Sequence, residues 1–329
     1  MAKKSYVVCF MCLFVFFQIL LFPDDCPSNC ASWRLVDIPE NPYYYMWDVA
    51  KGRTAYNCCV WHAVGNYGRY WRFYEDSVTG EITYTTSIEF PNHARTIIYA
   101  GPLRFVVAGH GGFISIGNGL SGCDWWEQTS PVTTDLYAGV YNSDADKVVL
   151  VGLLGKVVTE SPAGWIEVAN AGTSPIWNIT YGNGKYVLCN ANGWVYTSTN
   201  LNSWNRGVNL DCGNAQTAVF GDGVYLIGGT TKTSIKQVVY RSTDTINWTQ
   251  HIMPWNNNGD FVYDLVYTGS KFIGVASNRW IIESEDGITW TKKNSPAYPR
   301  IMLAIDYSCV DDDIMAVGGY DAIYSECTQ

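Results

Sequence analysis

Short apolar runs alternate with polar turns along most of this chain, and the clearest set lies between positions 262 and 295. The strand-like runs there are Val262 to Tyr267, Lys271 to Ala276, Trp280 to Glu283 and Thr289 to Lys292. Turns containing Gly, Ser, Asn or Asp separate them. Four short runs joined by such turns predict a four-stranded antiparallel meander.

The turn before the fourth run has a sequence that recurs. It reads Ser284-Glu285-Asp286-Gly287-Ile288-Thr289-Trp290, with looser copies at Ser242-Thr243-Asp244-Thr245-Ile246-Asn247-Trp248 and Ser198-Thr199-Asn200-Leu201-Asn202-Ser203-Trp204. An Asp at the third position can accept hydrogen bonds from turn amides, and the Ser hydroxyl can reinforce it. The Trp ring is expected to be buried between neighbouring sheets.

The spacing of these tryptophans gives the repeat length. The aligned residues are Trp126, Trp165, Trp204, Trp248 and Trp290. Subtraction gives separations of 39, 39, 44 and 42. A four-stranded unit with a period near 40 is typical of a β-propeller blade.

The two ends of the chain complement each other. The last unit offers only three strands, which are Leu303 to Tyr307, Ile314 to Val317 and Ala322 to Ser325. Trp33-Arg34-Leu35-Val36 resembles the fourth strands of other units. We therefore predict an all-β, seven-bladed propeller in which the N-terminal strand completes the last blade and leaves no open edge. An irregular first unit, with strands at Trp47 to Ala50, Cys59 to Val64, Tyr70 to Glu75 and Glu81 to Thr86, is included in this number.

The first residues have the composition of a targeting segment. Lys3 and Lys4 precede an apolar stretch from Tyr6 to Phe22. This pattern predicts a signal peptide or an uncleaved membrane anchor within residues 1–25, and both alternatives stay open. Residues 26–329 are then one propeller domain, secreted or displayed on the extracellular surface.

Charge narrows the range of partners. The chain carries 30 acidic and 21 basic residues, so its net charge is −9. This balance argues against a nucleic-acid partner, whose phosphates need a basic surface. The four histidines show no metal-ligand spacing, and we expect neither a metal nor a cofactor. Asp311-Asp312-Asp313 is interpreted as a solvated turn, with a calcium site as the alternative.

The predicted compartment decides how the cysteines and the glycosylation sequons are interpreted. Two of the 11 cysteines lie in the targeting segment, and an oxidising compartment favours disulfides among the other nine. Ring closure predicts that Cys30, or failing that Cys26, meets Cys327 and clasps the ring. Asn247 lies at an outer turn and is a candidate glycosylation site, whereas Asn178 lies on an inner strand where a glycan would clash.

The Ser-x-Asp-Gly-x-Thr-Trp segment resembles the Asp-box, also called the bacterial neuraminidase repeat. With its Tyr-Gly-Asn-Gly-Lys-Tyr hairpins, the array is similar to propellers of the sialidase-like and photosystem II assembly-factor-like groups. The resemblance implies the fold but not one activity, because those groups include hydrolases, binders, receptors and assembly factors. A sialidase would need an Arg-Ile-Pro segment, but Arg300-Ile301-Met302 lacks the Pro. We therefore assign no catalytic residue.

The candidate binding residues come from aligning the inner strands. One level of the channel is predicted to hold Met46, Arg95, Tyr137, Trp177, Gln216, Tyr263 and Leu303, with Asp260, Arg300 and Trp255 on the loops that enter it. Aromatic rings with a few charges suit glycan or peptide recognition, although the rings could simply fill the channel. We expect a non-catalytic binding propeller that recognises a glycan or a protein at this face. The alternatives are a glycoside hydrolase that uses Asp260 or Asp264 with another carboxylate, or an assembly or scaffold protein.

Overall fold

A computed structural model describes residues 29–30, 33–38, 44–53, 59–75, 81–101, 103–118, 125–255, 259–294, 301–308, 313–319 and 321–328. Within these ranges the chain forms seven antiparallel sheets, whose innermost strands contact one another in a closed ring. The predicted seven-bladed propeller is confirmed. The predicted targeting segment lies outside the described residues. In the described part of the chain, no helix has the length and apolar character needed to cross a membrane.

Two short strands at the start, β1 (Asn29–Cys30) and β2 (Arg34–Asp37), belong to the last blade. Blade 1 contains β3 (Met46–Arg53), β4 (Cys59–Gly65), β5 (Arg69–Glu75) and β6 (Ile82–Ile88). Blade 2 contains β7 (Ala94–Tyr99), β8 (Phe105–Gly109), β9 (Ile114–Gly117) and β10 (Trp125–Glu127). Blade 3 contains β11 (Leu136–Asn142), β12 (Lys147–Gly152), β13 (Val157–Ser161) and β14 (Gly164–Glu167).

Blade 4 contains β15 (Ile176–Gly182), β16 (Lys185–Asn190), β17 (Trp194–Ser198) and β18 (Asn205–Asn209). Blade 5 contains β19 (Cys212–Gly221), β20 (Val224–Thr231), β21 (Gln237–Ser242) and β22 (Thr249–Ile252). Blade 6 contains β23 (Val262–Tyr267), β24 (Phe272–Ala276), β25 (Trp280–Ser284) and β26 (Thr291–Asn294). Blade 7 contains β27 (Met302–Ser308), β28 (Asp313–Gly318) and β29 (Asp321–Thr328).

Blade 7 is completed by the N-terminal strand, as predicted. Strand β2 pairs antiparallel with β29, and Leu35 lies opposite Ile323. Strand β1 pairs further along β29 and places Cys30 directly opposite Cys327. The ring therefore closes by backbone hydrogen bonds between the two ends of the chain. The structure does not describe the side chains of the two cysteines, so the disulfide stays a prediction.

The recurring turns of blades 5 and 6 are held by side-chain hydrogen bonds. In blade 6 the Asp286 carboxylate accepts from the amides of Ile288 (2.8 Å) and Thr289 (2.9 Å), and the Ser284 hydroxyl accepts from the Gly287 amide (2.8 Å). The Trp290 indole donates back to the Gly287 carbonyl (3.3 Å) and is 6% exposed. Ser242, Asp244 and Trp248 make the same bonds in blade 5. In blade 4, Ser198 and Asn200 hold the turn, and Trp204 packs in the adjacent core.

The structure corrects the sequence interpretation at Trp126 and at Asp313. In blade 2 the packing tryptophan is Trp125, which meets the rings of Tyr70 and Phe90, whereas Trp126 is 55% exposed. The sequence before it lacks the recurring Ser-x-Asp-Gly pattern, which hid this shift of one residue. Asp313 is not solvated, because its carboxylate is 1% exposed and forms an ion pair with the buried ammonium of Lys51. Asp311 and Asp312 lie outside the described residues.

Candidate functional site

Every inner strand of the ring carries a β-bulge at the same level. The breaks in register fall between Met46 and Asp48, Ala94 and Thr96, Leu136 and Ala138, Ile176 and Ile179, Ala215 and Thr217, Val262 and Asp264, and Met302 and Ala304. A bulge inserts an extra residue and re-aims a side chain away from the ladder. The residues inserted here include Trp47, Arg95, Tyr137, Trp177, Gln216, Tyr263 and Leu303.

These seven side chains line a cavity of about 200 Å³ in the central channel, together with Asp48, Ala138, Asn178, Asp264 and Ala304. The structure thus brings together six of the seven residues aligned from the sequence. Met46 is the exception, since it is 1% exposed and packs in the core of blades 1 and 7. Trp47 occupies the channel position instead. Whether the six bind a ligand stays a prediction.

Stacked side chains cover one arc of the cavity across blades 1 to 4. The Arg95 guanidinium lies 4.1 Å from the ring centre of Trp47 and 5.6 Å from that of Tyr137. Tyr137 in turn stacks on Trp177 with ring centres 4.5 Å apart and an interplanar angle of 29°. Burial lowers the pKa of Arg95, and nearby Tyr137 and Asp135 partly offset this. Cation–π contact stabilises the guanidinium in this position.

Three donors in this arc have no acceptor among the described residues. They are the indole N–H groups of Trp47 and Trp177 and the Nε–H of Arg95, all shielded from solvent. In addition, no described carboxylate lies within 4.0 Å of the Arg95 guanidinium to form an ion pair with it. A buried donor without a partner costs about 1–3 kcal/mol. A ligand with oxygen acceptors can pair with these donors once a ring or the guanidinium turns towards the cavity.

The carboxylates of the cavity hold neighbouring blades together. Asp48 of blade 1 accepts from the Ile97 amide (2.9 Å) and the Thr96 hydroxyl (2.7 Å) of blade 2. Burial raises its pKa to about 7. Because each bond crosses to the next inner strand, Asp48 acts as a clasp between blades 1 and 2. Sequence reasoning missed this residue and its partner Thr96, since nothing in the pattern tells which side chain crosses a blade boundary.

Asp264 forms the equivalent clasp on the other side of the ring. It accepts from the Thr217 hydroxyl of blade 5 (2.9 Å) and the Ile305 amide of blade 7 (3.0 Å). Burial raises its pKa to about 6. Both of its oxygens are engaged by these bonds and by the amide of Leu265 (2.9 Å). Asp264 is therefore positioned as a structural acceptor rather than as a free acid or base.

The described loop residues that were predicted near the mouth of the channel lie away from the cavity. Asp260 is 6% exposed, accepts a hydrogen bond from the Asn278 amide group (2.8 Å) and does not line the cavity. Trp255 packs beside the core of blades 5 and 6 and donates to the Gln237 side chain (3.0 Å). Arg300 lies outside the described residues. Asn247 is exposed and donates its side-chain amide to Asp244 (2.8 Å), so its glycosylation stays a prediction.

No group of His, Cys, Asp and Glu side chains in the described ranges is arranged to hold a metal ion. No family model and no curated protein sequence matches this chain. Solved structures do match it along almost its whole length. A streptogramin B lyase structure has a TM-score of 0.71 at 10% identity and covers 90% of this chain and 98% of its own. The WD40 propeller domain of Doa1 has a TM-score of 0.69 at 10% identity, with 90% and 97% covered.

A third similar structure is YCF48 bound to D1 peptide. Its TM-score is 0.68 at 14% identity, and the match covers 94% of this chain and 100% of that one. Likeness at such low identity shows the fold alone. This chain is a seven-bladed β-propeller. Its resemblance to Asp-box proteins rests on the turn sequences.

Proposed function

We propose that this propeller is a non-catalytic binding protein that recognises a glycan or a protein segment at the mouth of its channel. The observation that carries the proposal is the set of seven bulges, which turn seven side chains into one cavity. A sheet ladder does not need seven breaks in register at one level. Bulges are concentrated beside functional sites because they re-aim side chains.

The chemistry of the cavity supports an acceptor-rich ligand. Aromatic faces at Trp47, Tyr137 and Trp177 suit the apolar faces of sugars and of peptide side chains. The unpaired donors of Trp47, Trp177 and Arg95 suit hydroxyl, carbonyl or carboxylate oxygens. A protein segment is supported further by the similar YCF48 structure, which is described as bound to D1 peptide. The targeting segment predicted from the sequence supports action outside the cell, either secreted or anchored to the surface.

The alternative of an Asp-box glycoside hydrolase needs two carboxyl groups free to act as acid and base across the substrate. Asp260 bonds to Asn278 through one oxygen and does not line the cavity, and Asp264 is engaged on both oxygens. These two positions favour binding over hydrolysis. The assembly or scaffold alternative would use the same mouth with a large protein partner.

Purified protein is applied to a glycan array and to an array of linear peptides, and each hit is titrated against variants. Trp177→Ala removes stacking and an N–H donor, and Arg95→Met removes the charge while keeping an unbranched side chain. We expect each to weaken binding roughly tenfold or more, as for loss of a hydrogen bond to a charged or buried partner. Trp126→Ala is the matched control, because that ring is exposed in blade 2. The proposal would be contradicted if the hits bind Trp177→Ala and Arg95→Met as tightly as they bind the native protein. Turnover of chromogenic glycosides would instead favour the hydrolase.

A further inference from the structure

A second cavity, of about 360 Å³, lies on the outer part of the ring between blades 4 and 5. Lys185, Thr197, Asn205, Gly207 and Val208 line it from blade 4, and Thr245 and Ile246 line it from blade 5. We call this cavity the rim groove. Val208 is 41% exposed and Ile246 is 72% exposed, so the groove has an apolar border. It shares no residue with the channel mouth.

Blade 6 shows what fills the equivalent place elsewhere in the ring. Tyr186 pairs with Ser198 in blade 4, and Phe272 pairs with Ser284 in blade 6, which aligns the two sheets. Lys185 then corresponds to Lys271, and Thr197 to Glu283. Gly207 and Val208 form a bulge opposite Val195, where blade 6 has Lys293. In blade 6 the Glu283 carboxylate lies 3.4 Å from Lys271 and 2.9 Å from Lys293. That blade therefore contains a complete cation–carboxylate–cation set.

The same strand position is charged in blade 5, where it is Arg241, whose Nε donates to the Asp286 carbonyl of blade 6 (2.9 Å). Arg241 thus occupies the junction between blades 5 and 6. In blade 3 the position is Thr159, whose hydroxyl donates to the Val148 carbonyl (2.9 Å). Blade 4 has the short Thr197 there and no side chain at Gly207, and the groove is the space that results.

Lys185 is the one cation of this set that blade 4 shares with blade 6, but blade 4 has no carboxylate in the place of Glu283. No carboxylate among the described residues lies within 4.0 Å of its ammonium. In blade 6 the matching ammonium of Lys271 has Glu283. The geometry thus indicates the missing group, which is a carboxylate reaching the groove in the position of Glu283.

Strand β18, which lies beside the groove, indicates what kind of molecule supplies that carboxylate. Strand β18 is the outer edge of blade 4, pairs only with β17 and has all five residues exposed. An unpaired edge offers backbone donors and acceptors to an added strand. We propose that the rim groove binds an extended acidic segment of a partner protein, whose Asp or Glu carboxylate pairs with Lys185. Apolar residues beside that acid contact Val208 and Ile246. This site does not depend on the function proposed for the channel mouth.

The test uses a phage-displayed library of linear 12-residue peptides, selected on the purified protein and counter-selected on Thr197→Glu. Thr197→Glu supplies the carboxylate from within the blade and closes the groove. We expect the surviving peptides to carry an Asp or Glu next to an apolar residue. A selected peptide, measured by fluorescence anisotropy, is expected to lose roughly tenfold in affinity on Lys185→Met or when its own acid becomes an amide. Binding to Thr197→Glu should be lost.

Thr83→Glu is the matched control, since Thr83 is an exposed threonine on the outer strand of blade 1. It should bind the selected peptide as the native protein does, and the thermal midpoints of all variants are compared to exclude unfolding. Selection of peptides without acidic residues would overturn the proposal. So would equal binding to Thr197→Glu, or binding that depends on Arg95 and Trp177 instead of Lys185. Acidic sugars that bind through Lys185 when no peptide does would overturn the protein assignment.

Discussion

At the residue scale, neighbouring blades approach each other closely at glycines that face an aromatic ring of the next blade. A Cβ built on Gly221 would lie 2.1 Å from the Tyr267 ring, and one on Gly182 would lie 2.1 Å from the Phe220 ring. Such distances leave no room for a methyl group. The ring of one blade therefore packs on bare backbone of its neighbour, which sets how tightly the two inner strands approach each other.

We predict that Gly221→Ala lowers the free energy of unfolding by about 2 kcal/mol, because overpacking forces a ring or a strand to move. Denaturant titration measures the change. Gly207→Ala is the control, since the nearest atom to its added Cβ is 3.6 Å away. Equal stabilities for the two variants would show that the junction between blades 5 and 6 yields without cost.

At the scale of the strands, the bulged inner strands carry three carboxylates shared between blades. Asp48 and Asp264 clasp their neighbours, and the Asp306 carboxylate accepts from the Lys51 amide (3.3 Å). Burial raises the pKa of Asp306 to about 8, and the charges of Asp48 and Asp264 add to the effect. In the recurring turns the opposite holds, because amide hydrogen bonds lower the pKa of Asp244 and Asp286.

These opposite shifts predict how stability depends on pH. A raised pKa means that the folded state binds its proton more tightly than the unfolded state, so stability falls as the pH rises from about 4 to about 8. Asp306→Asn keeps a neutral polar side chain and should flatten this decline. For Asp244 and Asp286 stability is instead lost as the pH falls below about 4.

Denaturant midpoints at about pH 5 and about pH 8 provide the measurement, with Asp222→Asn at an exposed turn as the control. If Asp306→Asn leaves the difference between the two pH values unchanged, Asp306 does not hold a proton in the folded protein.

At the scale of the whole molecule, the ring closes where the two ends of the chain meet on β29. Directly opposed residues of antiparallel strands have Cα atoms about 4.5–5.5 Å apart, which is within the range that a disulfide spans. Cys30 and Cys327 are opposed in this way. By contrast, Cys189 and Cys212 are buried free thiols in the core between blades 4 and 5.

We therefore predict a Cys30–Cys327 disulfide in protein made in an oxidising compartment. Peptide mapping without reduction should recover the linked pair. Cys30→Ser should lower the free energy of unfolding by up to roughly 5 kcal/mol, the loop-entropy value for so long a loop. Alkylation of both thiols in the untreated protein would disprove the link, and reduced native protein should behave like the variant.

The local pattern of strands and turns in the sequence was sufficient to predict the architecture of the fold. The period near 40 and the three-stranded last unit predicted seven blades and their closure, because each blade repeats one local pattern of strands and turns. Aligning inner strands also found most of the channel lining. It failed at Met46, since a one-residue bulge moves the next residue, Trp47, into the channel. The alignment of the tryptophans failed at Trp126, because the sequence before it lacks the Ser-x-Asp-Gly pattern that marks the packing tryptophan elsewhere.

The amino-acid sequence by itself determined the repeat, the blade number and the identity of the closing strand, all of which follow from contacts between residues near in the chain or from a strand missing at its end. Only the tertiary structure decided which aspartates clasp neighbouring blades, why Arg95 lies between two rings, and where Thr197 leaves an open groove. These features depend on side chains that meet across blade boundaries, about 40 residues or more apart in sequence, and no local pattern specifies such a meeting.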